Sequence, residues 1–171
     1  MLKPKMEEAL NKQVNAELFS SYLYLSMAAY FEAKNFSGMA NWMRIQSNEE
    51  TMHGMKLYDF INERGGRVAL AQIDAPKTEW SSPLDAFEEA YQHELKISGL
   101  IDDLMNLAVA EKDHAAHSFL EWFVNEQVEE ESAALLIVDQ LKMVGDNGIA
   151  LYMLDRQLGE RTVSAPAPAA T

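Results

Sequence analysis

Cysteine is absent from the 171-residue chain. That removes disulfides, thiolate metal sites, iron–sulfur clusters and cysteine nucleophiles together, so any metal must be held by oxygen and imidazole. Glycine and proline are scarce, at 8 and 5 residues, and most lie outside the long periodic segments. Helix formers dominate instead, which predicts an all-α protein. No apolar run approaches the roughly 18 residues that would span a bilayer. Nor is Met1-Leu2-Lys3-Pro4-Lys5 followed by the apolar stretch of a signal peptide, so no membrane partner and a cytoplasmic location are expected. Positive charge is also short, with 14 Lys+Arg against 27 Asp+Glu for a net charge of −13. Such a surface repels nucleic acid, excluding it as a partner, and draws cations. A solvated acidic face is the ordinary explanation of this charge, and a cationic substrate is the functional one. The length suits one domain, taken as residues 1–160, followed by a tail at 161–171 that is Pro/Ala-rich from Ser164 to Thr171 and is expected to be disordered.

Apolar residues recur at three- and four-residue steps in five segments. The first runs from about Lys5 to Lys34. Asn35-Phe36-Ser37-Gly38 breaks it, Ser37 is placed to cap the second, and that segment continues to about Arg64, where Gly65-Gly66 ends it. About 17 residues without helical period follow. Ser82 as N-cap, Pro83 as first helical residue and Asp85 close behind start the third. Lys112-Asp113 interrupts the period, a fourth segment runs from about His114 to Val144, and a short amphipathic fifth covers about Asn147 to Leu158. Short first–second and third–fourth links make antiparallel hairpins. A 17-residue connection reaches roughly 55 Å, more than the ~42 Å length of a 28-residue helix, so the second and third helices should lie parallel, joined by a crossover along the bundle.

Near its middle, each long helix replaces an apolar stripe residue with an ionisable one: Glu17, Glu50 with His53, Glu94, and Glu130. Each has an ordinary reading when taken alone. A stripe glutamate is usually a boundary residue with its head in water, a lone His53 a hydrogen-bonded core histidine, Tyr24 a core aromatic. Met52 and Met55 would be packing residues, and Glu49, Glu126, Glu129 and Glu131 a solvated face. Four carboxylates at matching levels on four helices do not fit that explanation. Burying one unpaired carboxylate costs several kcal/mol even after relaxation, and the first, second and fourth stripes offer no Lys or Arg at this level. Metal is the remaining partner. Glu50 and His53, three residues apart, project from one helix face toward a common point. A mixed oxygen and imidazole set suits Fe(II), Mn(II) or Zn(II) better than Ca or Mg.

The local sequences carry a resemblance. Asn15-Ala16-Glu17, Tyr22-Leu23-Tyr24, Glu49-Glu50-Thr51-Met52-His53, Glu79-Trp80-Ser81-Ser82-Pro83, His93-Glu94 and the run Phe119 to Glu131 together resemble the prokaryotic non-haem ferritins, over about residues 3 to 160. The resemblance implies a ferritin-like four-helix bundle with one long crossover between the second and third helices and a short fifth C-terminal helix. It further implies Fe(II) oxidation by O₂ or H₂O₂ at a buried di-iron centre, with ferric mineral stored in a homo-oligomer of 24 subunits. Glu17, Glu50 and His53 would hold one iron, Glu94 and Glu130 the other, with Glu50 bridging. Gln127 would orient oxygen or water, and Tyr24 would supply an electron or a hydrogen bond. Glu49, Glu126 and Glu129, helped by Glu130, would form a third iron site. The fourth helix reads Gln127-Val128-Glu129-Glu130, one histidine short of the doubled Glu-x-x-His pattern of bacterioferritins, and their haem methionine falls on Thr51, so no haem is expected. Pore carboxylates of animal ferritins fall on His117 and Leu120. A rubrerythrin-like di-iron peroxidase usually carries a cysteine-bearing relay domain, which this chain lacks. DNA-protecting mini-ferritins of 12 subunits lack a fifth helix and place their ligands between subunits.

Overall fold

The computed structural model describes residues 1–162. It contains five helices: α1 (Pro4–Ala33), α2 (Ser37–Glu63), α3 (Pro83–Ala110), α4 (His114–Val144) and α5 (Gly148–Leu158). Their limits fall where the local chemistry stops or starts them. Ser82 accepts a hydrogen bond from the Asp85 amide and Pro83 opens α3, as its sequence predicts. Asp113 accepts from Ala116 N at the start of α4, and Asn147 from Ile149 N and Ala150 N at the start of α5. At α2 the expectation is corrected. Ser37 is the first helical residue rather than the cap, and Phe36 stands at the cap position with no side-chain bond. Phe36 instead turns its ring to Phe31, so packing rather than capping fixes that corner.

The crossover between α2 and α3 travels beside α1 for most of its length. Asn11 Nδ2 donates to Arg67 O, Asn15 Nδ2 to Gln72 O and Ser26 Oγ to Lys77 O. Tyr30 then meets Trp80 at 5.3 Å between ring centroids. As the loop advances, its partners advance along α1, so the chain returns to the end where α2 began. Helix α3 therefore runs parallel to α2, as the connection length predicts.

Two apolar clusters fill the bundle. One holds Met27, Phe31, Met39, Met43, Phe87 and Ile137 with Leu154 and Leu158 of α5; the other holds Met6, Leu10, Leu57, Ile61, Ile101 and Leu120. Between them lies a buried polar layer contributed by all four long helices. Helices α1 and α2 pack closely, as do α3 and α4, whereas among the described residues no Cα of α2 comes within 8 Å of one on α4. Long polar side chains bridge that gap.

Helix α5 sits on the start of α2. Gly38 admits it, since a Cβ there would lie 1.6 Å from Asp155 O. The buried Asp155 carboxylate accepts from Met39 N at 2.9 Å, so α5 supplies the N-terminal hydrogen bond that α2 lacks from its own cap.

Candidate metal centre

The polar layer is built from helical spacing. On α1, Gln13, Glu17, Ser20 and Tyr24 follow one another at one-turn intervals and are all buried. On α2, Gln46, Glu50 and His53 do the same; α3 contributes His93 and Glu94, and α4 Gln127 and Glu130. Every stripe residue that the sequence marks as ionisable is turned inward.

Amides hold the carboxylates. Gln13 Nε2 donates to Glu17 Oε1 at 2.8 Å. Gln46 Nε2 donates to Glu130 Oε2 at 2.6 Å and to Glu50 Oε1 at 3.2 Å, joining α2 to α4. Gln127 Nε2 lies 3.2 Å from Glu94 Oε2, and Tyr24 Oη donates to Glu94 Oε1. His53 Nδ1 stands 3.5 Å from Glu50 Oε2, with its ring against Trp122 and Phe123. Among the described residues one buried side-chain atom meets no donor: Glu17 Oε2, whose near neighbour is another acid, Glu50. An orphaned carboxylate oxygen inside a dry core calls for a cation.

Burial lifts the carboxylates of Glu17 and Glu50 well above their usual range, with Glu50's charge adding to the effect at Glu17 and those of Glu94 and Glu130 at Glu50. Burial likewise raises Glu94, against the hydrogen bonds from Tyr24 and Gln127. Glu130 is raised to about 7, first by burial and then by Glu94. Burial and the neighbouring carboxylates hold the Tyr24 phenol neutral, well above its ordinary value. Four acids that cannot all ionise without a counter-charge form a strong cation trap, since a bound ion would supply the field that lets each lose its proton.

Ligand atoms from Glu17, Glu50 and His53 lie within 4.8 Å of one another, as do those of a second trio, His53, Glu126 and Glu130. The first trio is the set that the resemblance assigns to one iron. Glu94 shares the layer but faces Tyr24 and Gln127. The expected outer group is only partly assembled: Glu126 turns to His53, its Oε1 3.9 Å from Nε2, Glu129 is exposed, and Glu49 is paired with Arg161. Arg161, at the first position of the expected tail, packs on α2; residues 163–171 of that segment lie outside the described residues. Met52 and Met55, read as packing residues, stand exposed at 48% and 45%.

Several participants carry no signal in a search for ionisable stripe residues. Gln13 and Gln46 look like ordinary polar positions, and their signal is the i, i+4 spacing to Glu17 and Glu50. His93 meets Ser20 Oγ through Nε2 at 2.7 Å, and desolvation followed by the charge of Lys96 lowers it to about 4, making it a neutral support beside Tyr24.

A four-helix bundle with a lengthwise crossover and a buried carboxylate–imidazole layer defines the class of ferritin-like carboxylate proteins. Comparison places the chain within it. Residues 7–144 match the family model for the ferritin-like domain. The bacterial non-heme ferritin of Bacteroides fragilis is 48% identical over 161 residues, covering 94% of this chain and all of the relative; that of Staphylococcus aureus is 40% identical, covering 95% and 98%. The crystal structure of an open pore ferritin from Archaeoglobus fulgidus superposes with a TM-score of 0.94 at 51% identity, covering 95% of this chain and all of the other. The chain belongs to the ferritin family, among its prokaryotic non-haem members.

Proposed function

We propose that the protein is a ferroxidase and iron store. Two Fe(II) ions enter the polar layer as substrate, one taken by Glu17, Glu50 and His53, the other by Glu94 and Glu130, with Glu50 shared. Each ion gives up one electron, so O₂ receives two electrons and two protons and leaves as H₂O₂. H₂O₂ can itself serve as the two-electron acceptor. Holding two one-electron donors side by side avoids superoxide, and the paired site acts by proximity. The Fe(III) products hydrolyse, release protons and accumulate as mineral in a shell of 24 subunits in the cytoplasm.

The observation that carries this reading is the buried trio Glu17, Glu50 and His53, in which Glu17 Oε2 is the one buried side-chain polar atom among the described residues that no donor reaches. Gln127 and Tyr24 orient Glu94, and the Tyr24 phenol, whose hydrogen is engaged by Glu94, is placed to supply that hydrogen bond or an electron. Assembly draws support from large apolar side chains left exposed, among them Met143, Ile149, Tyr152 and Met153 at the α4–α5 end, since such patches mark interaction surfaces. No helix among the described residues is long and apolar enough to cross a membrane.

The test is anaerobic addition of Fe(II) followed by air, reading ferric absorbance and iron retained per subunit. Glu17→Ala and His53→Ala should each abolish rapid oxidation while leaving assembly intact. Unchanged oxidation rates in both would refute the assignment.

A further inference from the structure

Beyond α5 the chain turns back onto α2, and Arg161 lands at the rim of the polar layer. Its Nη2 lies 2.5 Å from Glu49 Oε2. Its Nη1 donates to Gln46 Oε1 at 2.9 Å and lies 3.3 Å from Trp42 O. The guanidinium plane covers the Trp42 ring, 4.5 Å from its centroid. Asn41 holds the arriving backbone, donating through Nδ2 to Arg161 O at 3.1 Å. This is not a loose surface pair: the side chains are 23% and 11% exposed, and the guanidinium has an acid, an amide, a carbonyl and an aromatic face as partners.

The chemistry of those partners has two consequences. A guanidinium can only donate, so the Gln46 atom facing it must be the carbonyl oxygen. The amide nitrogen of Gln46 is then obliged to face inward, where it donates to Glu130 and Glu50. Arg161 thus sets which way Gln46 points. Glu49, meanwhile, already has a cation. A metal ion seated on the same carboxylate would face the guanidinium across one oxygen pair, and the two positive charges would repel at short range in a half-buried setting.

We propose that Arg161 is an internal counter-cation that competes with metal for Glu49 and, through Gln46, positions the carboxylates of the inner centre. The Arg161 side chain is therefore a displaceable plug at the outer edge of the site. An outer ion binds only when the guanidinium leaves Glu49, and the inner ions are held by carboxylates whose orientation Arg161 helps to fix. The inference rests on the two-metal reading of the inner centre and on the outer iron site that the resemblance assigns to Glu49, Glu126 and Glu129.

Isothermal titration of the metal-free protein with Zn(II), which has no redox step, separates the two. Arg161→Gln removes the charge and keeps a long polar side chain; Arg161→Lys keeps the charge. The Arg161→Gln variant should gain an outer site, or tighten an existing weak one, by at least about tenfold, and adding Glu49→Gln in that background should remove the gain. Lysine has one compact ammonium in place of the fork, so the Arg161→Lys variant should stay within a few-fold of wild type at the outer site. A structural role alone would make the two substitutions behave alike. Wild type and Arg161→Gln binding Zn(II) with the same stoichiometry and affinity, or a gain that survives Glu49→Gln, would overturn the proposal. Failure of the inner-site reading looks different: wild type would bind no ion that Glu17→Ala removes, whichever side chain stands at position 161. Should Arg161→Gln not assemble, Arg161→Met carries the same expectation.

Discussion

At neutral and higher pH the metal-free protein should become more stable when Glu130 is replaced by glutamine. Glu130 is raised from an ordinary 4.5 to about 7, chiefly by burial and then by Glu94. A raised carboxylate binds its proton more tightly folded than unfolded. Its stabilising contribution is therefore fully present below pH 4.5 and is lost as pH rises through 7. Each unit is worth 1.36 kcal/mol, so wild type forgoes about 3 kcal/mol by pH 8 that the neutral, isosteric side chain of the Glu130→Gln variant keeps. The carbonyl of the new amide can still accept from Gln46, so the change isolates the charge. In a domain of this size the difference amounts to roughly 6–12 °C in Tm. Urea or thermal unfolding of chelator-treated protein, both forms at one concentration, should show the stability gap opening between pH 4.5 and 8. Adding Zn(II) should close or reverse it, because only wild type offers the full charge to the ion. A gap of the same size at pH 5 and pH 8, or no gap at all, would refute the argument that an unpaired charge is held in this core.

Three further changes probe other parts of the structure. Tyr24→Phe removes the hydroxyl that binds Glu94 without altering the packing, and should slow Fe(II) oxidation about tenfold, the value of a hydrogen bond to a charged group, in stopped-flow absorbance with assembly unchanged on sizing. Asp113→Ala loses the α4 cap and both Arg64 contacts at 3.1 and 3.2 Å, and should cost about 2 kcal/mol in urea unfolding. His93, neutral and lowered to about 4, contributes stability above pH 6.5 that is lost as pH falls toward 4; His93→Asn should flatten that acid limb in pH-dependent melts.

Much of this was legible because long helices advertise themselves. The Ser82-Pro83 start, the Gly65-Gly66 stop and the three- and four-residue apolar steps place the helices, and the connection lengths give the topology. The inner layer was legible for a related reason: a glutamate inside an apolar stripe is energetically costly, and four of them at one level share one cause. What stayed hidden lies off the stripes. Arg161 follows the last helix in a stretch with no period, so nothing local tells that its guanidinium reaches Glu49. Asp155 carries no mark in the sequence of a short helix, yet the fold brings its carboxylate to the open amide of Met39. The outer acids illustrate the same limit, since Glu49 on α2 and Glu126 and Glu129 on α4 each stand among polar residues in the sequence. Which of them turns inward depends on side chains arriving from distant parts of the chain.

That the four-helix carboxylate layer exists to bind metal is tested most directly by anaerobic Fe(II)-soaked crystals, with anomalous differences measured across the iron edge. Iron peaks are expected between Glu17, Glu50 and His53 and beside Glu94 and Glu130, with Glu17 Oε2 among the ligands. A layer without iron, its carboxylates protonated and hydrogen-bonded to one another, would contradict that reading.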